Sequence, residues 1–319
     1  MHDSHTIFRK TADSKRQITV HLLNRGATIA GITLDGFGAQ SRSDVVLSYP
    51  SSAEFDSDLY YLGATVGPVA NRLHDGCFDL PSGRHTVEIN ESARSNVLHG
   101  GMHGLHQQIF QESPTRADNA VVFSLALPHA TDGFPGDRLV TVRYELIEDL
   151  GLQIDFAAST DRTTVMNLAN HAYFNLGGAL SQHELRVNAH HFTPVNDRLI
   201  PTGEIVSLDG CELDYSNWRT LENASLDHNF VLRKEGKLKY AASLRLREAK
   251  LQLDVLTTQP ALQVYTGDGL STPFRPRSGI CLEAQGFPNA PNQPNFPSIR
   301  LEPGTIYRQR TIYKFGQSS

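Results

Sequence analysis

The sequence predicts an all-β fold, a large antiparallel β-sandwich with few short helices, on three observations. Apolar and polar residues alternate with a period of two in many short runs, turn-forming residues separate those runs, and stripes of helical period are scarce. QITVHLL (17–23) and DVVLSY (44–49) are the first strand candidates. CFDLPSGRHTVEI (77–89) reads as two strands joined by a PSGR turn, and AVVFSLAL (120–127) as a further strand. Val140, Val142, Tyr144 and Leu146 alternate with Thr141, Arg143 and Glu145; after EDLG the pattern resumes with Leu152, Ile154 and Phe156. That is a hairpin with one buried face. ASLRLR (242–247), KLQLDVL (250–256) and ALQVYTG (261–267) complete the clearer strands. NWRTLENAS (217–225) is expected to form a short helix and SSAEFDSD (51–58) a single helical turn. GFPNAPNQPNFP (286–297) carries too much proline for an interior strand and is expected to be an ordered surface loop. Many strands between turn signals argue for a sandwich.

The 319 residues are enough to bury a large core, and no compositional shift marks a linker, so residues 1–319 are expected to form a single domain. A net charge of -5 without a basic run argues against nucleic acid and membrane surfaces as partners. Cys77, Cys211 and Cys281 are odd in number and scattered, which indicates neither a disulfide framework nor a thiolate metal cage. The opening MHDSHTIFRKTADSKRQ lacks the apolar centre of a signal peptide, and no run is long and apolar enough to span a bilayer. A cytoplasmic setting is therefore expected. Monomer and homodimer both remain open.

Three segments carry candidate chemistry. TVMNLANHAYFNLGG (164–178) places His171 within an apolar stretch read as a strand, and histidine is the side chain that exchanges protons near neutrality. A single such histidine is more often a core residue. NVLHGGMHGLHQ (96–107) spaces His99, His103 and His106 so that a helix would present three imidazoles on one face. Gly100, Gly101 and Gly104 disfavour that helix, so a glycine-rich loop presenting His99 is the better reading. SGICLEAQ (278–285) sets Glu283 in an otherwise apolar strand, where a carboxylate is costly unless paired or used. The dyads Asn71–Arg72 and Asp227–His228 have no specificity of their own. From the residues alone the reading stops at a β-rich protein with a candidate Glu/His acid–base pair.

In order along the chain, LGATVGPVANR, NVLHGG, GFPGDRLVTVRYEL, NLANHAYFNLGG, FTPVNDRLIPTGEI, LDHNF, TTQPALQVYTGDGL, GICLEAQGFPNAPNQPNFPSIRLEPG and the closing YKF together resemble the aldose 1-epimerase (galactose mutarotase) family. The resemblance runs from about residue 17 to residue 315. It implies the galactose mutarotase-like supersandwich, a free sugar as the small-molecule substrate, and interconversion of its anomers with no metal or other cofactor. It also implies Glu283 as general base and His171 as general acid, with Arg72, His99, Asp227, Gln263 and the neighbouring Asn71 binding sugar.

Two departures stand out. GPVANR has Pro68 where the family commonly has arginine, which removes a charge near Arg72. LHGG is followed by GLHQQIF, whose Leu105 and His106 are expected to reshape one wall of the cleft. Three rival readings accompany the main one. The first is a relative acting on a phosphorylated hexose, with Arg275 and Arg277 as phosphate donors. The others are a non-catalytic sugar-binding module, and a metalloenzyme using His99, His103 and His106.

Overall fold

The computed structural model describes residues 3–11, 14–37, 40–113, 115, 117–233 and 237–318. Its two main layers are antiparallel sheets. One has nine strands, in the order Gln111–Ser113, Ala120–Leu127, Arg138–Ile147, Gly151–Thr160, Tyr307–Gln317, Leu251–Thr257, Lys239–Leu246, Glu184–Val187 and Arg219–Thr220. The other has six, in the order Tyr173–Phe174, Ile280–Gln285, Ala261–Tyr265, Asp227–Leu232, Ala189–Thr193 and Val206–Ser207. A four-stranded sheet from residues 4–44 flanks them. Helical structure among the described residues is confined to six short 3-10 turns. The protein is an all-β antiparallel sandwich.

The alternation in 138–160 forms the predicted hairpin, with Leu146 opposite Leu152 and the turn at Glu148–Leu150. Its inward residues Val140, Val142, Tyr144, Leu152, Ile154 and Phe156 join one large core with Ile280, Leu282 and Ala284 of the six-stranded sheet. Side-chain contacts cross between the layers. Gln309 Nε2 donates to Ala284 O at 2.8 Å, and the Phe174 and Tyr313 rings meet edge-on at 4.8 Å. Strand Ile280–Gln285 therefore turns Ile280, Leu282 and Ala284 toward the core. Side chains alternate across a strand, so Cys281, Glu283 and Gln285 face the other way.

Several local expectations are corrected. NWRTLENAS is not helical: Leu185 pairs with Arg219, and Leu221 N donates to His183 O. Trp218 is instead held beneath the guanidinium groups of Arg186 and Arg245. DVVLSY forms no continuous strand, because Val45 N donates to Ile32 O and Leu47 N to Tyr173 O, in two different sheets. The segment 164–178 also breaks, into Thr164–Val165, Ala169–Asn170 and Tyr173–Phe174, and leaves His171 between two short strands. SSAEFDSD does form a helical turn at Ser52–Ser57, and the loop 286–297 is ordered with Phe287, Ala290 and Phe296 buried.

Candidate active site

A cavity of about 580 Å³ opens on the face of the six-stranded sheet that points away from the core. Its size lies within the range of small-molecule sites. Asn71, Arg72, His99, His171, Asp227 and Glu283 all line it. Gln263 does not, but stands directly behind, opposite Glu283 on the neighbouring strand, and its Nε2 donates to Asp227 Oδ1 at 2.6 Å.

The backbone explains how His99 arrives there. The short strands Arg72–His74 and Asn96–Leu98 pair with Arg72 opposite Leu98, and the adjoining Asn71 and His99 are both left-handed, at φ +61° and +52°. His99 N donates to Asn71 O at 3.0 Å, and Asn71 N donates back to His99 Nδ1 at 3.2 Å. Asn and His tolerate that conformation better than most residues. Gly100 follows at φ +88°, and a Cβ there would fall 1.9 Å from Gly67 O, so this position admits only glycine. Because the Asn71 amide occupies Nδ1, the neutral ring of His99 carries its proton on Nε2. Burial, reinforced by His171 and Arg72, holds the His99 imidazole well below its ordinary pKa. His99 is a neutral hydrogen-bond donor.

Glu283 and His171 form the floor, 2 % and 4 % exposed. His171 Nε2 lies 3.8 Å from Glu283 Oε1, and Glu283 Oε2 has no hydrogen-bond partner among the described residues. Backbone bonds pin His171 on both sides, its N–H to Ala64 O and its carbonyl to Gly63 N–H. Burial lowers the His171 pKa to about 4. Burial, with Asp227 adding to it, raises that of Glu283 well above the carboxylate range. Both shifts disfavour an isolated charge, so the pair holds one proton and remains neutral as a unit.

Arg72 is fixed by Glu91, whose two oxygens each lie 3.0 Å from a guanidinium nitrogen, and it reaches to 3.7 Å from Asp227. Glu91 also accepts from Arg94 and Asn96. The two arginines of the cavity are thus matched by Glu91 and Asp227, and the site offers no net charge to a ligand. Sequence reasoning missed Glu91, Arg94 and the rings of Tyr61, Tyr173 and Tyr265 that also line the cavity. Tyr173 stands two residues beyond His171 and could have been found from that spacing; Glu91 carries no sequence signal of its own. Tyr61, left-handed at φ +57°, sits 4.6 Å from the rings of both His99 and His106, and burial pushes its pKa up to about 12.

Other predicted residues lie elsewhere. Pro68 is buried, its carbonyl accepting from Asn167 N, and it contributes nothing to the cavity lining. Leu105 packs in the core and His106 stands behind Tyr61, so GLHQQIF meets the cavity only through that ring. Arg277 donates to Leu221 O and Glu222 O and, like Arg275, is absent from the lining. Among the described residues, the one His/carboxylate group close enough to share a cation is His99, His171 and Glu283, not His99 with His103 and His106. The Nε2 proton of His99 leaves that ring no free lone pair, so the donor set does not suit a resident metal.

A sequence profile described as aldose 1-epimerase matches residues 10–314. Galactose mutarotase from Sus scrofa is 35% identical, across 94% of this chain and 91% of that protein. Aldose 1-epimerase from Escherichia coli K12 is 31% identical, across 93% and 92%. Among solved structures, a GalM/aldose epimerase homologue from C. elegans superimposes with a TM-score of 0.91 at 27% identity, covering 99% of this chain and all of that one. Galactose 1-epimerase from Lactobacillus acidophilus NCFM gives 0.83 at 25% identity, with both chains fully covered.

Proposed function

The chain belongs to the aldose 1-epimerase family, and on that premise we propose that Glu283 and His171 interconvert the α and β anomers of a free hexose such as galactose or glucose. The observation that supports this reading is the 3.8 Å separation of Glu283 Oε1 and His171 Nε2 on the floor of a charge-balanced cavity. Anomers exchange when the hemiacetal opens, the C1–C2 bond rotates, and the ring closes on the other face of C1. The C1 hydroxyl must lose a proton while the ring oxygen gains one. Both oxygens are bonded to C1, so the groups serving them must be close neighbours.

Glu283 takes the hydroxyl proton and His171 Nε2 delivers its own to the ring oxygen; closure reverses both transfers. The shared proton must lie on His171 as the ring opens, so the pair then passes from carboxylate and imidazolium to carboxylic acid and imidazole. Its proton count and net charge never change, so a buried site carries out the reaction without isolating a charge. Each positioned acid or base contributes about 10² to 10⁴ in rate. His99 Nε2–H, Arg72 and Asp227 bind sugar oxygens, Gln263 holds Asp227, and Asn71 holds His99. The aromatic walls cover the sugar's C–H faces.

The balance of Arg72 and Arg94 against Glu91 and Asp227 favours a neutral sugar over a phosphorylated one. Residues 1–319 act as one domain in this reading, and the setting is cytoplasmic; no described helix is long and apolar enough to cross a membrane. Polarimetry of freshly dissolved α-D-galactose and α-D-glucose, with glucose 6-phosphate alongside, tests the proposal. Catalysed relaxation of the optical rotation to its equilibrium value is expected for the free sugars. Acceleration of the phosphate ester alone would reverse the substrate assignment.

A further inference from the structure

We propose that Cys281 is a positioning residue for the acid: its Sγ grips His171 Nδ1 and so confines the mobile proton to Nε2. This rests on the acid role given to His171 above. Cys281 and Glu283 are two apart on strand Ile280–Gln285 and share a face, about 7 Å from one another along the chain. The imidazole bridges that interval, with Nδ1 3.5 Å from Cys281 Sγ and Nε2 3.8 Å from Glu283 Oε1. One strand thereby addresses both nitrogens of the ring, the base at one and the thiol at the other.

Backbone bonds fix the main chain of His171, and the rings of Tyr61, His99 and Tyr173 pack around its buried imidazole. Packing orients the ring but does not choose its tautomer, which is set by the partner of its second nitrogen, here Cys281 Sγ. With Nδ1–H directed at sulfur, Nε2 is the site that loads and releases a proton.

The chemical nature of the partner matters as much as its place. Burial pushes the fully enclosed Cys281 thiol well above its ordinary pKa, so sulfur meets the ring uncharged. A carboxylate there would stabilise the imidazolium and weaken it as an acid. A neutral thiol is a weak acceptor, which orients the ring while leaving its proton easy to give up.

The test compares Cys281→Ala and Cys281→Ser with the wild type in polarimetric kinetics across pH, and in nitrogen NMR of histidine-labelled protein. The NMR experiment reads the His171 tautomer without depending on catalysis. Loss of an orienting partner to a reactive group typically costs about 10- to 100-fold. The alanine variant should lose that much kcat with little change in KM, and its His171 should populate both tautomers. The serine variant should keep the Nδ1–H tautomer and most of the rate, with its acid limb moved to higher pH because a hydroxyl is the stronger acceptor. An alanine variant with wild-type kcat and tautomer, or a serine variant as impaired as alanine, would overturn the proposal. A wild type with the Nδ1–H tautomer but no mutarotase activity would instead overturn the acid role of His171.

Discussion

Titrating the Glu283–His171 pair perturbs the site without changing an atom of its packing. Moving a buried histidine from an ordinary 6.5 to about 4 corresponds to roughly 3 kcal/mol against an isolated imidazolium. A carboxylate 3.8 Å away returns about 4 kcal/mol at an effective dielectric constant of ~20. The two effects are of similar size, so the first proton is bound firmly by the pair and the second only weakly. As pH falls through about 4 the second proton arrives, both groups are protonated, and the base is lost. The first proton is lost only well above the ordinary carboxylate range, because burial and Asp227 raise Glu283. The profile of kcat/KM should therefore hold a plateau through neutrality, with an acid limb near pH 4. Initial polarimetric rates from pH 3.5 to 9, corrected for spontaneous mutarotation, measure it. An imidazolium acid acting independently of Glu283 would instead lose about sixteen-fold between pH 6.5 and 8. An inflection near 6.5 with decline on its alkaline side would refute the shared-proton reasoning.

Two further outcomes follow from other ion pairs. Glu91→Gln removes the counter-charge that holds Arg72, so KM for the sugar should rise about ten-fold or more while kcat changes less, a split that steady-state kinetics resolves. Unchanged KM would show that Arg72 holds its position without Glu91. Asp132→Ala strands the Arg138 guanidinium, since the two side chains are 1 % and 0 % exposed and joined at 2.8 and 3.1 Å; urea unfolding should show a loss of about 3–5 kcal/mol. Neither residue lines the cavity, so kinetics of the folded variant should match the wild type.

The sheet framework was legible wherever one strand met its ladder partners along its whole length, as in 138–160. It was not legible where successive backbone groups go to different partners. Met166 N donates to Ile299 O, Asn167 N to Pro68 O, and His171 N to Ala64 O, so an apolar run that reads as one strand is three fragments. That fragmentation places His171, the proposed acid, in the gap and not on a strand face. NWRTLENAS misled for a related reason, since helix propensity there yields to edge pairing with Glu184–Val187 and to the stacking of Trp218 under two arginines. Within the site, Glu283 was visible as a carboxylate among apolar neighbours. Glu91 was not, because its importance comes from two arginines that meet it only in the folded chain.

Glu283 is the proposed acceptor of the C1 hydroxyl proton, and Glu283→Gln tests this role most directly. The replacement keeps the size of the side chain and puts no charge into a buried site, so the fold and the sugar contacts of Arg72, His99 and Asp227 should survive. With saturating α-D-galactose, the polarimetric rate of the variant should fall by about 10² to 10⁴ while galactose binding, measured by calorimetry, stays close to wild type. A glutamine variant that binds the sugar and mutarotates it at the wild-type rate would contradict the account.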